Sequence, residues 1–238
     1  MGTREKIAVV LASGGVDSAV AAACARKDCG RIAMLHVNYG QRTGKRELEA
    51  FNALAGALGA ERTFVAEAAY LGRMGASSLT DPNLPVPDAR PAPAAGIPST
   101  YVPFRNANLL AIAVSWAEAI CSGAVYIGAV QEDGSGYPDC RESFLRAFER
   151  AAQEGTRPET SIKIMAPLLH AKKGEIVKLG ARLGVPFELT WSCYRDEIVA
   201  CGRCESCVLR LKSFAAAGIK DPIPYAGQTA KNGLAHGA

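Results

Sequence analysis

An apolar run that ends in a glycine-rich turn is the feature that most constrains how this chain can fold. Residues 7–12 show no polar alternation, which is typical of a strand buried on both faces. The glycine-rich residues 13–18 follow at once, and residues 18–27 are rich in alanine and compatible with a helix. A strand that passes through such a turn into a helix indicates the start of an α/β domain.

The same alternation continues along the chain. Further strands are predicted at residues 32–37, 63–66, 124–128 and 162–165. Further helices are predicted at residues 45–58, 106–120, 141–153 and 173–183. The pattern predicts an α/β fold in which helices flank a doubly wound, mainly parallel sheet.

Proline interrupts this pattern between the third strand and the next helix. Seven of the 13 prolines lie between Pro82 and Pro103, where a central strand or a long helix is excluded. We expect residues 69–97 to form a surface excursion that could close over a site. The last residues, 228–238, are predicted to be a frayed tail.

The turn at residues 13–18, Ser-Gly-Gly-Val-Asp-Ser, has the composition of an anion site. Gly14 and Gly15 allow backbone N–H groups to approach a phosphate, while Ser13 and Ser18 offer hydroxyl donors beside a helix N-terminus. Asp17 could cap the helix or hold a nucleotide's magnesium. The alternative is an ordinary glycine-rich turn with a helix cap. Neither the Walker A pattern nor Gly-x-Gly-x-x-Gly is present.

Four of the eight cysteines lie within residues 193–207. The chain opens without a signal peptide, so we expect a cytoplasmic protein in which clustered thiols serve metal or redox chemistry. The spacing Cys193-x7-Cys201-x2-Cys204-x2-Cys207 favours a closed four-thiolate zinc site of structural type. A redox pair or an iron–sulfur cluster are the alternatives.

Other residues have predicted supporting roles at this site. Gly202 would allow the turn between cysteines, and Arg203 and Arg210 would offset thiolate charge. We therefore divide the chain into a nucleotide-binding domain, residues 1–186, and a zinc-binding helical segment, residues 187–238, packed on it.

The remaining cysteines and the charge point away from other classes of function. Cys24, Cys29 and Cys121 are predicted to be packing residues, while Cys140 lies inside a polar motif. The formal net charge of +4 is too small to indicate a nucleic-acid partner. No apolar stretch is long enough to span a bilayer, so no membrane partner is expected.

Several polar strings follow predicted strand ends and could line one crevice. Arg42 and Arg105 could clamp a carboxylate or phosphate, with Arg141 and Lys173 adding positive charge. The candidates for stacking on a planar ring are Tyr101, Phe104 and Tyr137. The candidate acceptors for a guanine-like N–H edge are Asp133 and Asp139. For any one of these residues, the alternative is a solvated loop residue or a cap.

These strings together carry a family resemblance. Residues 13–18 resemble the pyrophosphate loop (PP-loop) of N-type ATP pyrophosphatases. The ordered set resembles the 7-cyano-7-deazaguanine synthase family of queuosine biosynthesis, over about residues 7–225. The matching strings include Tyr-Gly-Gln-Arg at 39–42, Gly-Tyr-Pro-Asp-Cys-Arg at 136–141 and Cys-Gly-Arg-Cys-Glu-Ser-Cys at 201–207.

The resemblance implies an adenine nucleotide alpha hydrolase-like fold and a carbon–nitrogen ligase. ATP would adenylate the carboxylate of 7-carboxy-7-deazaguanine, ammonia would displace AMP, and a second adenylation would convert the amide to the nitrile. It further implies zinc, magnesium near Asp17, and a homodimer. The implied catalytic residues are Ser13, Asp17, Ser18 and Lys173, and the implied nucleotide contacts are Ala12, Ser13, Gly14, Gly15, Val16, Asp17 and Ser18.

Three other functions are compatible with parts of the sequence. A tRNA-modifying ATP pyrophosphatase would be expected to show a catalytic thiol pair or a basic domain. A relative that attaches the activated deazaguanine to another molecule, such as a protein, would share the first half-reaction. A zinc-binding interaction module on an inactive nucleotide fold is opposed by the intact phosphate loop.

Overall fold

The computed structural model describes residues 7–89, 96–131 and 136–227. Its centre is a five-stranded sheet in the order β3-β2-β1-β4-β5. The strands are β1 Ile7–Leu11, β2 Arg31–Asn38, β3 Arg62–Glu67, β4 Ala124–Tyr126 and β5 Lys163–Met165. Every neighbouring pair is parallel, as the strand–helix alternation predicts.

Seven α-helices connect or follow the strands in the described part of the chain. They are α1 Val16–Cys29, α2 Gly44–Ala57, α3 Tyr70–Arg73, α4 Arg105–Ala119, α5 Glu142–Gly155, α6 Lys173–Arg182 and α7 Glu205–Ala217. Short 3-10 turns occur at Pro138–Cys140 and Phe187–Leu189. The sequence does not predict α3 or these turns, because three or four residues are too few to show periodicity.

Alternate residues of the central strand face two separate apolar layers. Ala8 and Val10 pack with side chains of α1, α2 and α6, whereas Val9 and Leu11 pack with α4 and α5. All four residues are buried, since helices cover both faces of the sheet. The two layers confirm the predicted doubly wound architecture.

The strand order places a crevice at the carboxyl ends of β1 and β4. The chain builds outward from β1 to β2 and β3 on one side, and then crosses to β4 and β5 on the other. Connections leave in opposite directions at this point, which is where open α/β sheets bind ligands.

The C-terminal segment packs on the first of the two layers. Phe214 of α7 is buried and meets Phe187 edge to face, with ring centroids 5.1 Å apart. Arg210 does not offset thiolate charge as predicted, because its guanidinium forms a buried ion pair with Asp221 at 2.8 Å. Arg203 is exposed and lies 3.8 Å from Asp88.

Much of the proline-rich excursion packs against the rest of the protein. Ser77, Ser78 and Leu79 are buried, and Val86 packs against the cysteine cluster. The backbones of Asp88 and Cys204 form an isolated antiparallel β-bridge. Residues 90–95 of the excursion and the tail at 228–238 lie outside the described residues.

Two further predictions have clear outcomes. Cys121 is not a packing residue, because it is exposed and has a positive φ of 56° after the end of α4. Cys24 is buried, as predicted, and Cys29 is partly buried. None of the described helices has the length and apolar character that crossing a bilayer requires.

Candidate active site

A cavity of about 340 Å³ opens at the carboxyl ends of the central strands. Its wall includes the predicted phosphate loop and residues from α4, α6 and the C-terminal segment. The sequence-predicted residues that line it are Ala12, Ser13, Gly15, Val16, Asp17, Ser18, Arg42, Arg105, Tyr137 and Lys173. The fold therefore brings distant parts of the chain to one site.

The phosphate loop is held by its own hydroxyl groups. Ser18 Oγ donates to the carbonyl of Gly15 at 3.0 Å and accepts from the backbone N–H of Ser13 at 3.3 Å. The backbone N–H of Gly15 donates to Ser13 Oγ at 3.3 Å. The first turn of α1 follows directly, so its N-terminal donors face the same cavity.

Two glycines allow close packing around the phosphate loop. Gly14 has a φ of +86°, and a Cβ there would come within 2.7 Å of the carbonyl oxygen of Glu47. A Cβ on Gly128 would come within 2.9 Å of the carbonyl carbon of Asp17. Gly14 thus permits close packing against α2, and Gly128, which the sequence analysis did not single out, permits close packing of β4 against α1.

Lys173 joins the phosphate loop to α6. It is the first residue of that helix, and its Nζ donates to Asp17 Oδ2 at 2.6 Å. Both side chains are partly buried, at 23% and 30% exposed. The pair places a positive charge and a carboxylate beside the loop, which are groups that can hold a phosphate and a metal ion.

Arg105 lies among tyrosines on the other wall of the cavity. Its Nη1 donates to the hydroxyl of Tyr39 at 3.0 Å, and its guanidinium lies 5.4 Å from the centroid of that ring. Burial acts to lower the pKa of Arg105, but interactions with Tyr39, Tyr137 and Tyr194 outweigh it and the pKa is raised. The arginine is a permanent cation facing a cavity with aromatic walls.

Four other predicted substrate residues do not line this cavity. Phe104 is 60% exposed. The hydroxyl of Tyr101 accepts a hydrogen bond from the backbone N–H of Phe104 at 2.9 Å. Asp139 is 3% exposed and accepts from the N–H of Asn106 at 2.8 Å. Arg141 is the N-cap residue of α5. Asp133 lies outside the described residues.

Arg42 lines the cavity but is also engaged elsewhere. Its guanidinium donates to the backbone carbonyls of Ser78, Asp81 and Leu84. These bonds fasten the start of the proline-rich excursion beside the site. A role in contacting substrate stays a prediction for this residue.

Glu47, His36 and Trp191 are among the cavity residues that the sequence did not predict. Glu47 accepts from Thr43 Oγ1 at 2.9 Å and from Gln41 Nε2 at 3.2 Å. Burial raises its pKa to about 7, although these two bonds act to lower it. The buried His36 Nε2 and Trp191 Nε1 have no hydrogen-bond partner among the described residues. The sequence feature that could have indicated Glu47 is its position on α2, five residues after Arg42. Glu47 lies on the side of this helix that faces the crevice.

The four clustered cysteines form a compact group that can hold a metal ion. Their Sγ atoms all lie within 4.8 Å of one another, and three of the four residues are buried. Cys201 Sγ and Cys207 Sγ are 3.9 Å apart. Zinc–sulfur bonds of about 2.3 Å in a tetrahedron require sulfur pairs separated by roughly 3.8 Å, so the group fits zinc. Gly202 supplies the predicted turn, with a φ of +71°.

The cysteine cluster is linked to the phosphate loop through Trp191. This residue stands two positions before Cys193, and its backbone N–H donates to the carbonyl of Gly14 at 2.9 Å. The indole packs in one apolar group with Ala50 of α2 and with Cys193, Cys204 and Cys207. The C-terminal segment therefore supports the back of the site.

Comparison with known proteins decides the family. The model of the family described as "Queuosine biosynthesis protein QueC" matches residues 7–218. The chain belongs to the QueC family. The 7-cyano-7-deazaguanine synthase of Chlorobaculum parvum is 53% identical over 92% of this chain and 96% of its own length. That of Nitratiruptor sp. is 53% identical over 92% of this chain and 98% of its own length.

A solved structure shows the same fold at low sequence similarity. A 4-thiouridine synthetase, crystallised with RNA and ATP, superposes with a TM-score of 0.51 at 18% identity. The match covers 95% of this chain and 49% of that one. This likeness, together with the parallel sheet, confirms the predicted α/β fold with a doubly wound parallel sheet.

Proposed function

We propose that this chain converts 7-carboxy-7-deazaguanine, ammonia and two molecules of ATP into 7-cyano-7-deazaguanine, with release of AMP and diphosphate. The observation that carries the proposal is that one cavity is lined by the phosphate loop, the Asp17–Lys173 pair, Arg105 and three tyrosines. QueC-family relatives at 53% identity bear the name of this synthase, which supports the same substrate here.

The first half of the reaction makes the amide. A carboxylate oxygen of the substrate attacks the α-phosphorus of ATP, the bond to the β-phosphate oxygen breaks, and diphosphate leaves. Ammonia then adds to the acyl carbon, AMP departs with the carboxyl oxygen, and one proton is lost to give the amide. Arg105 would hold the substrate carboxylate for the first attack.

The second half removes the amide oxygen. That oxygen attacks a second ATP and diphosphate again leaves, so the carbon carries an adenylated oxygen and a nitrogen. Loss of the remaining N–H protons with departure of AMP forms the nitrile. Both halves need the same stabilisation of departing diphosphate, so one phosphate loop can serve twice.

The chain's own groups supply that stabilisation. With nucleotide bound, backbone N–H groups of Gly15 and the first turn of α1, with the hydroxyls of Ser13 and Ser18, would donate hydrogen bonds to the phosphates. Lys173 adds a positive charge beside them, held by Asp17. Asp17 would hold a magnesium ion, which would supply positive charge to the phosphates of the nucleotide.

The thiolate cluster has a structural role in this proposal. Four thiolates close a tetrahedral zinc shell and leave no position for a substrate. We propose that residues 187–227 depend on this zinc for their packing on the nucleotide-binding part of the chain. A cytoplasmic homodimer that uses free ammonia, without a nucleic-acid partner, completes the proposal and rests on family resemblance.

Product analysis tests the function directly. The protein is incubated with ATP, ammonium and 7-carboxy-7-deazaguanine, and the products are measured by mass spectrometry. We expect the nitrile together with two AMP for each substrate consumed. Neither amide nor nitrile, with ATP unspent, would overturn the proposal, whereas AMP formed without either product would favour a relative that modifies another molecule.

A further inference from the structure

Glu47 presents a carboxylate to the cavity without an ion pair among the described residues. It is partly buried and lines the cavity beside Arg105 and Tyr39. Arg105 is close enough for its charge to act on the pKa of Glu47, after the larger effects of burial and of the Thr43 and Gln41 bonds. The cavity therefore has a cationic side and an anionic side.

The orientation of this carboxylate is fixed by neutral donors. Thr43 Oγ1 donates to Oε1 and Gln41 Nε2 donates to Oε2. The side-chain oxygen of Gln41 accepts from the backbone N–H of Tyr39 at 2.9 Å, so its amide nitrogen is the end that faces Glu47. Because an ionised carboxylate can accept about four hydrogen bonds, each Glu47 oxygen keeps an acceptor position for a ligand.

The charges of the cavity match those of the substrate in the proposed function. 7-Carboxy-7-deazaguanine carries an anionic carboxylate on its five-membered ring. Its six-membered ring presents adjacent N–H donors from N1 and the 2-amino group. Arg105 is complementary to the carboxylate, and Glu47 is complementary to the N–H donors. The planar ring would lie against the side chains of Tyr39, Tyr137 and Tyr194.

We propose that Glu47 reads the guanine edge of the substrate by accepting hydrogen bonds from the ring N1–H and the 2-amino group. This inference rests on the proposed function and adds a specificity residue to it. Asp139, which the sequence suggested for this contact, is buried outside the cavity and engaged by Asn106. Thr43 and Gln41 are positioning residues for Glu47.

A substrate that lacks the 2-amino group removes one of the two hydrogen bonds that we propose for Glu47. 7-Carboxy-7-deazahypoxanthine and the natural substrate are each given to the wild-type protein and to Glu47→Gln, and kcat and KM are measured. A hydrogen bond to a charged group contributes enough that we expect wild-type kcat/KM to fall about 10- to 100-fold on the analogue. Glu47→Gln should lose a similar factor on the natural substrate, mainly through KM.

The decisive quantity is the coupling between the two changes. On the analogue, Glu47→Gln should lose a several-fold smaller factor than on the natural substrate, because only the N1–H hydrogen bond remains to be lost. An equal loss on both substrates would overturn the proposal, as would an effect confined to kcat. Thr43→Val, which leaves Glu47 in place, should show a smaller loss with the same preference for the natural substrate.

Glu49→Gln is the matched control. Glu49 lies on the same helix, is 51% exposed and pairs with Arg46 at 3.3 Å, so both kinetic constants should be unchanged. If the wild-type protein forms no amide or nitrile, the proposed function fails on its own account. Calorimetric binding of the two compounds to wild type and Glu47→Gln then decides the Glu47 contact separately.

Discussion

At the scale of single residues, the site places a carboxylate where burial disfavours its charge. Burial raises the pKa of Glu47 from 4.5 to about 7, so between these values the folded state binds more protons than the unfolded state. Stability therefore falls as the pH rises through this range, and the loss is complete above it. We expect Glu47→Gln, which cannot ionise, to raise Tm relative to wild type more at pH 8 than at pH 5. Thermal unfolding at both pH values tests this, and an equal difference at both would contradict it.

Lys173 is the residue that we propose stabilises the charge of departing diphosphate at the phosphate loop. Replacing it with methionine keeps a long apolar stem and removes that positive charge. We expect Lys173→Met to lower kcat about 100-fold or more, with a small change in Tm. Steady-state AMP release measures the effect. The control is Lys178→Met, an exposed lysine on the same helix, and an equal loss in the two variants would contradict the assignment.

At the scale of elements, the approach of β4 to α1 fixes the position of the phosphate loop. A methyl group on Gly128 would meet the backbone of Asp17 and Ser18 at 2.9 Å, and backbone atoms cannot move aside as a side chain can. We expect Gly128→Ala to destabilise the protein by about 1–3 kcal/mol and to raise the KM for ATP. Gly123, just before β4, has its nearest such neighbour at 3.8 Å. Gly123→Ala should therefore leave the KM for ATP unchanged, and equal effects in the two variants would contradict the steric argument.

At the scale of the whole molecule, the sequence predicted the framework better than the site. Buried apolar runs and helical periodicity located all five strands and five of the helices, because these signals are local. The cavity depends on which strands become neighbours and on the return of the C-terminal segment, and neither is encoded in a local pattern. Asp139 has suitable chemistry, but the 3-10 turn at Pro138–Cys140 places it in the interior. Conversely, Trp191 and His36 resemble ordinary core residues in the sequence.

At this scale we also predict that the metal site affects nucleotide binding from a distance. No thiol of the cysteine cluster lines the cavity among the described residues, but Trp191 joins the cluster's apolar core to the carbonyl of Gly14. Loss of the metal should loosen the segment that carries Trp191, because four thiolates would no longer be held together. The phosphate loop would then lose a backbone hydrogen bond, so we expect the Kd for ATP to rise about fivefold or more.

Trp191 can report this change directly. The chain has two tryptophans, so Trp116→Phe leaves Trp191 as the sole indole. In that background, chelation of the metal or Cys204→Ser should shift the emission of Trp191 to longer wavelength and weaken ATP binding together, since both follow from the same loosened segment. Cys121→Ser, at an exposed cysteine outside the cluster, is the control and should change neither. A metal-free protein with unaltered emission and unaltered ATP affinity would show that the two sites are independent.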